Sequence, residues 1–164
     1  MMQDNQGQGL PELDIHSRRM LLPLAYHLDV VDYLRREERH AWEWSGSGLM
    51  IDQTEGVRDA MLRDTYRLEP QGHPAVFEAC HTAMARLGIT APVTLYQAND
   101  GSMNASLVYV PGEINLVFFG PILEKLDAGE LLALMGHELS HYLLWSLGER
   151  EHYRASRVFD HALS

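Results

Sequence analysis

The strongest constraint on the fold is one long helical segment between Asp127 and Gly148. Asp127 is a typical helix N-cap residue, and Glu130 stands three positions later, where a capping box requires it. Leucines recur through the segment at spacings of three and four, and Gly148 follows at a typical C-terminal stop. The pattern predicts a helix over 128–147 whose apolar face must be buried against a second layer.

This predicted helix carries the sequence Gly136-His137-Glu138-Leu139-Ser140-His141. Residues four apart share a helix face, so His137 and His141 can offer imidazole nitrogens to one metal ion. Glu138 falls beside that ion and can take a proton from water bound to it. A zinc ion would lower the pKa of this water to about 7 and polarise a carbonyl group. We therefore predict that His137 and His141 bind Zn²⁺ and that Glu138 is the catalytic base.

An accidental match is the alternative, because the chain contains nine histidines. The position of the motif argues against chance. It lies in the middle of a leucine-rich helix, where two histidines and a carboxylate are costly to bury unless a metal ion or hydrogen bonds pair them. The metal-site interpretation is therefore favoured.

The segment before the motif helix predicts a small sheet on which that helix can pack. Its elements are a helix over 75–87 ended by Gly88, a strand over 93–96, and two apolar runs over 107–110 and 114–119. Pro111-Gly112-Glu113 separates the two runs, so they are predicted to form a hairpin with a three-residue loop. The fold class expected is α+β, with a small sheet and hairpin packed on the motif helix.

The first part of the chain is predicted to be a helical extension. Helical periodicity runs over 14–44 and again over 55–68, with a glycine- and serine-rich break at 45–48. The breaker Pro70-Gln71-Gly72-His73-Pro74 follows. We accordingly predict an extension over 1–72 and a core over 73–164. The last element of the core is predicted to be a helix from about Glu149.

From Pro74 to Leu144 the chain resembles the HtpX and CAAX-prenyl-protease family of zinc metallopeptidases, which are gluzincins. The resemblance lies in the order of a helix, a strand, the pair Asn104-Ala105, a hairpin, and the leucine-rich helix with its His-Glu-x-x-His motif. It covers under half of the chain, and Tyr66-Arg67-Leu68 with His73-Pro74 also resembles the soluble bacterial members. It implies a minimal zincin fold in which Asn104 and Ala105 lie on the edge strand that pairs with the substrate backbone.

The chain departs from this family in its third metal ligand. Family members take it from a Glu-x-x-x-Asp pattern downstream of the second histidine, and no such pattern occurs between His141 and Ser164. We therefore expect the third ligand beyond Ser164 and the C-terminal part of the core to be missing. Asp160 and His161 are the candidate substitutes if the last helix folds back.

Composition narrows the possible partners. The formal net charge is −10, from 23 acidic against 13 basic residues, which argues against nucleic acid as the main partner. No apolar stretch is long enough to span a bilayer, so a soluble, cytoplasmic protein is expected. Cys80 is the single cysteine and fits a small core position better than a nucleophile.

The function expected is hydrolysis of peptide bonds in a peptide or protein substrate by a zinc-dependent metallopeptidase. One alternative is an inactive zinc-binding module or scaffold with an incomplete catalytic set. The other is a helical interaction domain in which the motif is accidental.

Overall fold

The computed structural model describes residues 22–47, 56, 59, 61, 63–98 and 102–163. The helices in these ranges are α1 (Ala25–Glu37), α2 (Arg39–Ser45), α3 (Pro74–Leu87), α4 (Ile122–Lys125), α5 (Ala128–Ser146) and α6 (Glu151–Leu163). The strands are β1 (Thr65–Arg67), β2 (Val93–Ala98), β3 (Asn104–Val110) and β4 (Glu113–Phe119). The predicted α+β class is confirmed.

The four strands form one mixed sheet in the order β1-β2-β4-β3. β1 pairs antiparallel with β2, β2 pairs parallel with β4, and β4 pairs antiparallel with β3. β4 is therefore central and buried on both faces, which explains the uninterrupted apolar run over 116–119. β3 lies at one end of the sheet, and its outer edge has no strand partner among the described residues.

The main core lies between one face of the sheet and the pair of helices α3 and α5. Leu95, Leu116 and Phe118 project from the sheet into this core and are fully buried. Met135 and Leu139 meet them from α5, also with no exposed surface. Burying the apolar stripe of α5 in this way fixes both its position and its rotation about its own axis.

Cys80 belongs to this core. Its side chain is fully buried on α3, and burial raises the pKa of its thiol to about 11. A thiol in that state is neither ionised nor accessible at neutral pH. This agrees with the prediction of a core residue.

The N-terminal helices pack on the last helix of the chain. Val31 and Leu34 of α1 contact Ala155 and Val158 of α6 in a second, smaller apolar cluster. Trp42 completes this cluster from α2 and is also buried. The helices α1 and α2 are therefore attached to the rest of the chain mainly through α6.

Arg154 of α6 stabilises the packing of α6 against α2. Its guanidinium lies over the ring of Trp42 at 4.1 Å from the centroid and donates to the carbonyl oxygen of Trp42 at 2.6 Å. Glu151 forms an ion pair with Arg35 of α1. Because Arg154 is both stacked and hydrogen-bonded, its side chain is more restricted than one held only by an exposed ion pair, such as Arg35 with Glu151.

The structure corrects several sequence expectations. The predicted helix over 55–68 is wrong at its end, because Thr65–Arg67 form β1 and pair with β2. The β-branched and aromatic side chains of this segment suit a strand once a sheet edge is available. The hairpin loop has two residues rather than three, since Val110 pairs directly with Glu113 and Gly112 takes a φ of 81°. The short helix α4 and the break at Glu38 between α1 and α2 were not predicted.

Other expectations are confirmed. The helix α3 ends at Gly88 in the left-handed conformation, and α5 and α6 lie where they were predicted. The hairpin packs beside the motif helix, with β3 in contact with α5. The part of the predicted N-terminal helix before residue 22 lies outside the described residues. Within the described ranges, no helix combines the length and hydropathy needed to cross a membrane.

The capping box of α5 generates a stability prediction. The Asp127 carboxylate accepts from the backbone N–H of Glu130 at 2.8 Å, and the Glu130 carboxylate accepts from the N–H of Asp127 at 3.0 Å. Asp127→Ala should therefore lower the free energy of unfolding by about 1 kcal/mol. Urea unfolding measures this, with the exposed Asp29→Ala on α1 as control. Equal effects of the two substitutions would contradict a capping role.

Candidate metal centre

The rotation of α5 decides where each motif residue lies. Leu139 is fully buried against the sheet, and Glu138 is only 6 % exposed beside it. His137 and His141 project from the adjacent face, and the side chain of His137 keeps 67 % of its surface exposed. The helix therefore buries the carboxylate and presents the two imidazoles at the rim of the core.

The two imidazoles approach each other through their Nε2 atoms. Their Nε2 atoms lie 3.3 Å apart, and the ring planes are nearly perpendicular at 85°. A zinc ion with bonds of about 2.0–2.1 Å in tetrahedral geometry holds neighbouring ligand nitrogens roughly 3.3–3.4 Å apart. An N–H···N hydrogen bond of 3.3 Å would be long. The pair therefore has the spacing of two ligands of a tetrahedral ion without rearrangement.

Glu138 is held by the neighbouring strand. The backbone N–H of Leu107 on β3 donates to its carboxylate, and Oε1 lies 4.0 Å from Nε2 of His137. Burial raises the pKa of the Glu138 carboxyl, whereas His137 and the Leu107 N–H act in the opposite direction. The carboxylate thus lies close to the histidine pair and is hydrogen-bonded to β3.

Burial also lowers the pKa of His141, and the nearby charge of His137 lowers it further. A metal binds only the neutral imidazole, so a lowered pKa reduces competition from protons at neutral pH. The indole of Trp145 stacks on the other side of the His141 ring, with centroids 5.1 Å apart and planes at 26°.

The outer edge of β3 lies beside this centre. In an antiparallel ladder, each residue directs its N–H and its C=O to the same side, and successive residues alternate. The N–H of Leu107 points away from β4 to reach Glu138, so the N–H and C=O of Ala105 also lie on the outer edge. Asn104 is exposed at the start of the strand. The structure therefore places Asn104 and Ala105 on the sheet edge nearest the motif helix.

An open pocket of about 240 Å³ lies in front of the two histidines. The described residues that line it come from α5 and from 22–27: Leu22, Pro23, His27, His137, Ser140, His141, Leu143 and Leu144. His27 is the one further residue of a metal-ligating type in this lining, and its Nδ1 accepts from the backbone N–H of Leu24 at 3.2 Å. The pocket is otherwise mostly apolar.

The described residues contain no group of three or more His, Cys, Asp or Glu side chains placed to hold one metal ion. The suggested substitutes Asp160 and His161 do not line the pocket. Asp160 forms an ion pair with Arg157, and His161 packs on the ring of Trp44. Among the described residues, the site thus has two candidate ligands, His137 and His141, and a third ligand remains a prediction.

Sequence analysis missed three contributions to this site. The Leu107 N–H is a backbone group, and its contact with Glu138 depends on how α5 packs against β3. The position of His27 depends on the packing of α1 and α2 against α6, which are far apart in the sequence. Trp145 was detectable, because its spacing of four from His141 places both rings on one helix face.

No family model, curated protein or solved structure matches this chain. The evidence for a function therefore comes from the residues themselves and from their geometry.

Burial of Glu138 predicts a pH-dependent effect on stability. Because its pKa is raised above 4.5 in the folded state, the ionised carboxylate is disfavoured there, and stability falls as the pH rises through that pKa. Glu138→Gln removes this loss and keeps an oxygen for the Leu107 N–H. In excess chelator, the variant should gain stability over the wild type as the pH is raised from about 4, below the ordinary carboxyl pKa, to about 8.

Urea unfolding at the two pH values measures this difference. Glu78→Gln is the matched control, because Glu78 is an exposed carboxylate on the neighbouring helix α3. An advantage for Glu138→Gln that is the same at both pH values would contradict the assigned environment.

Proposed function

We propose that this chain is the catalytic core of a zinc-dependent metalloendopeptidase. The observation that carries the proposal is the combination of two Nε2 atoms 3.3 Å apart with a buried carboxylate 4.0 Å from one of them. A histidine pair alone would suit a structural metal site. The carboxylate adds an acid–base group, held at a fixed distance from the proposed metal position by the Leu107 N–H.

In the proposed reaction, the metal ion and the side chains of the protein supply different chemical groups. When bound, zinc supplies Lewis acidity, which activates a water molecule and polarises the substrate carbonyl. His137 and His141 hold the ion through neutral imidazoles. Glu138 accepts the proton of the attacking water and then delivers it to the leaving nitrogen of the cleaved peptide. Its burial makes the carboxylate a stronger proton acceptor than an exposed one would be.

The proposed substrate is a peptide in extended conformation. The free edge of β3 offers backbone N–H and C=O groups at Ala105, and an extended segment can add there as a further strand. In this proposal, the exposed Asn104 contacts the same segment through its side-chain amide. The acidic surface disfavours nucleic acid as partner, and we propose a cytoplasmic location.

An inactive zinc-binding module is the second candidate. The observation that favours it is the lack of a three-ligand group among the described residues. Catalytic zinc sites ordinarily use three protein ligands and leave one position for water. Bound zinc with no detectable Glu138-dependent cleavage would support this candidate over the first, which predicts slow cleavage that Glu138→Gln abolishes.

Substitution of the motif residues separates metal binding from catalysis. Glu138→Gln should keep zinc binding but reduce cleavage of an unstructured protein substrate by at least about a hundredfold, because an amide cannot accept the proton. His137→Ala and His141→Ala should instead lose bound zinc, as measured by metal analysis after dialysis. Cleavage at the wild-type rate by Glu138→Gln would remove this residue from the mechanism.

The number of ligands predicts the strength of the site. With only His137 and His141 converging, residues 1 to 164 should hold zinc more weakly than a three-ligand catalytic site and should cleave poorly. Competition with a chelator measures the affinity. Tight retention together with rapid peptide cleavage would show that a third ligand acts within this chain, and His27→Ala would then identify whether the pocket supplies it.

A further inference from the structure

Three aromatic rings form a column along one face of α5. His137, His141 and Trp145 follow one another at intervals of four residues. The two histidine rings meet edge to face with centroids 4.8 Å apart, and the indole of Trp145 lies flat against His141 at 5.1 Å. One face of the His141 imidazole is therefore covered by an aromatic plane, while Nε2 points to His137.

Trp145 is itself fixed by contacts from two other elements. The ring of Tyr109 on β3 meets the indole edge to face at 84°, and Tyr153 of α6 packs on it with centroids 5.5 Å apart. The Tyr109 hydroxyl also donates to the backbone carbonyl oxygen of Trp145 at 3.3 Å. These contacts hold the indole in one orientation, and the His141 ring stacks on it in that orientation.

His141 has few other constraints. Metal-binding histidines usually donate their second ring N–H to a carboxylate or carbonyl, which fixes the plane of the ring. In the described part of the chain, the hydrogen bonding of His141 is limited to Nε2 of His137. Stacking on Trp145 is therefore the contact that can set the plane of this imidazole.

We infer that Trp145 is a positioning residue for the metal centre, which holds the His141 imidazole in the plane that directs Nε2 at the ion. The inference rests on the proposed zinc site. Its physical basis is preorganisation: a ring already held in the binding orientation loses less conformational freedom when the metal binds. Loss of the indole should lower metal affinity even though Trp145 provides no ligand atom.

A purely structural role is the competing explanation, and the chain offers a matched control for it. Trp44 of α2 packs on His161 of α6 with centroids 4.6 Å apart and planes at 30°, away from the metal centre. Trp44→Leu removes the same kind of ring pair as Trp145→Leu. The two variants therefore differ in whether the histidine concerned is a proposed ligand.

The experiment measures Zn²⁺ affinity by chelator competition for the wild type, Trp145→Leu, Trp145→Phe and Trp44→Leu. We expect Trp145→Leu to weaken binding by about tenfold, Trp145→Phe to lose less because a ring remains, and Trp44→Leu to match the wild type. Circular dichroism checks that each variant is folded. If Trp145→Leu does not fold, the comparison of Trp145→Phe with the wild type and with Trp44→Leu decides the outcome.

A second measurement needs no metal. In the metal-free wild type, stacking should shift the ring protons of His141 upfield in the NMR spectrum, and the shift should disappear in Trp145→Leu. Its absence in the wild type would overturn the inference. So would unchanged Zn²⁺ affinity in a folded Trp145→Leu or Trp145→Phe, and in that case zinc binding by the wild type would leave the proposed function standing. A wild type that binds no Zn²⁺ would overturn both.

Discussion

The site depends on how the apolar face of α5 packs on the sheet. Met135 and Leu139 are fully buried against it, and this burial leaves the helix one rotation about its axis. The burial of Glu138 follows from that rotation, because the residue before Leu139 lies at the margin of the buried face. His137 and His141 then emerge on the exposed side. The same packing brings β3 close enough for the Leu107 N–H to bind the carboxylate.

This arrangement places groups with opposite requirements within a few ångströms. An ionised carboxylate is costly to bury, and Glu138 offsets part of that cost with one backbone hydrogen bond and the nearby His137. Imidazoles that bind metal must be neutral, and burial favours this state for His141. Burial therefore raises the pKa of the proposed base, Glu138, and lowers the pKa of the proposed ligand, His141. Both effects suit the proposed chemistry.

Local patterns predicted most of the fold around the site. The capping box at Asp127, the left-handed Gly88 and the apolar runs of the hairpin all act over a few residues, so the sequence alone indicated them. Thr65–Arg67 became a strand because β2 offered a free edge, which no local pattern contains. In the same way, the histidine spacing predicted a shared helix face, whereas the Leu107 contact with Glu138 arises from tertiary packing.

The parallel pairing of β2 with β4 has a consequence for the order of folding. The β3–β4 hairpin closes over a two-residue turn and can form within microseconds, whereas β2 joins β4 only after the chain between them has doubled back. The hairpin is therefore expected to form first and to offer the surface on which β2 and α5 later dock. The bond between Leu107 and Glu138 would then form only after α5 docks on the hairpin, so the burial of Glu138 would report that docking step.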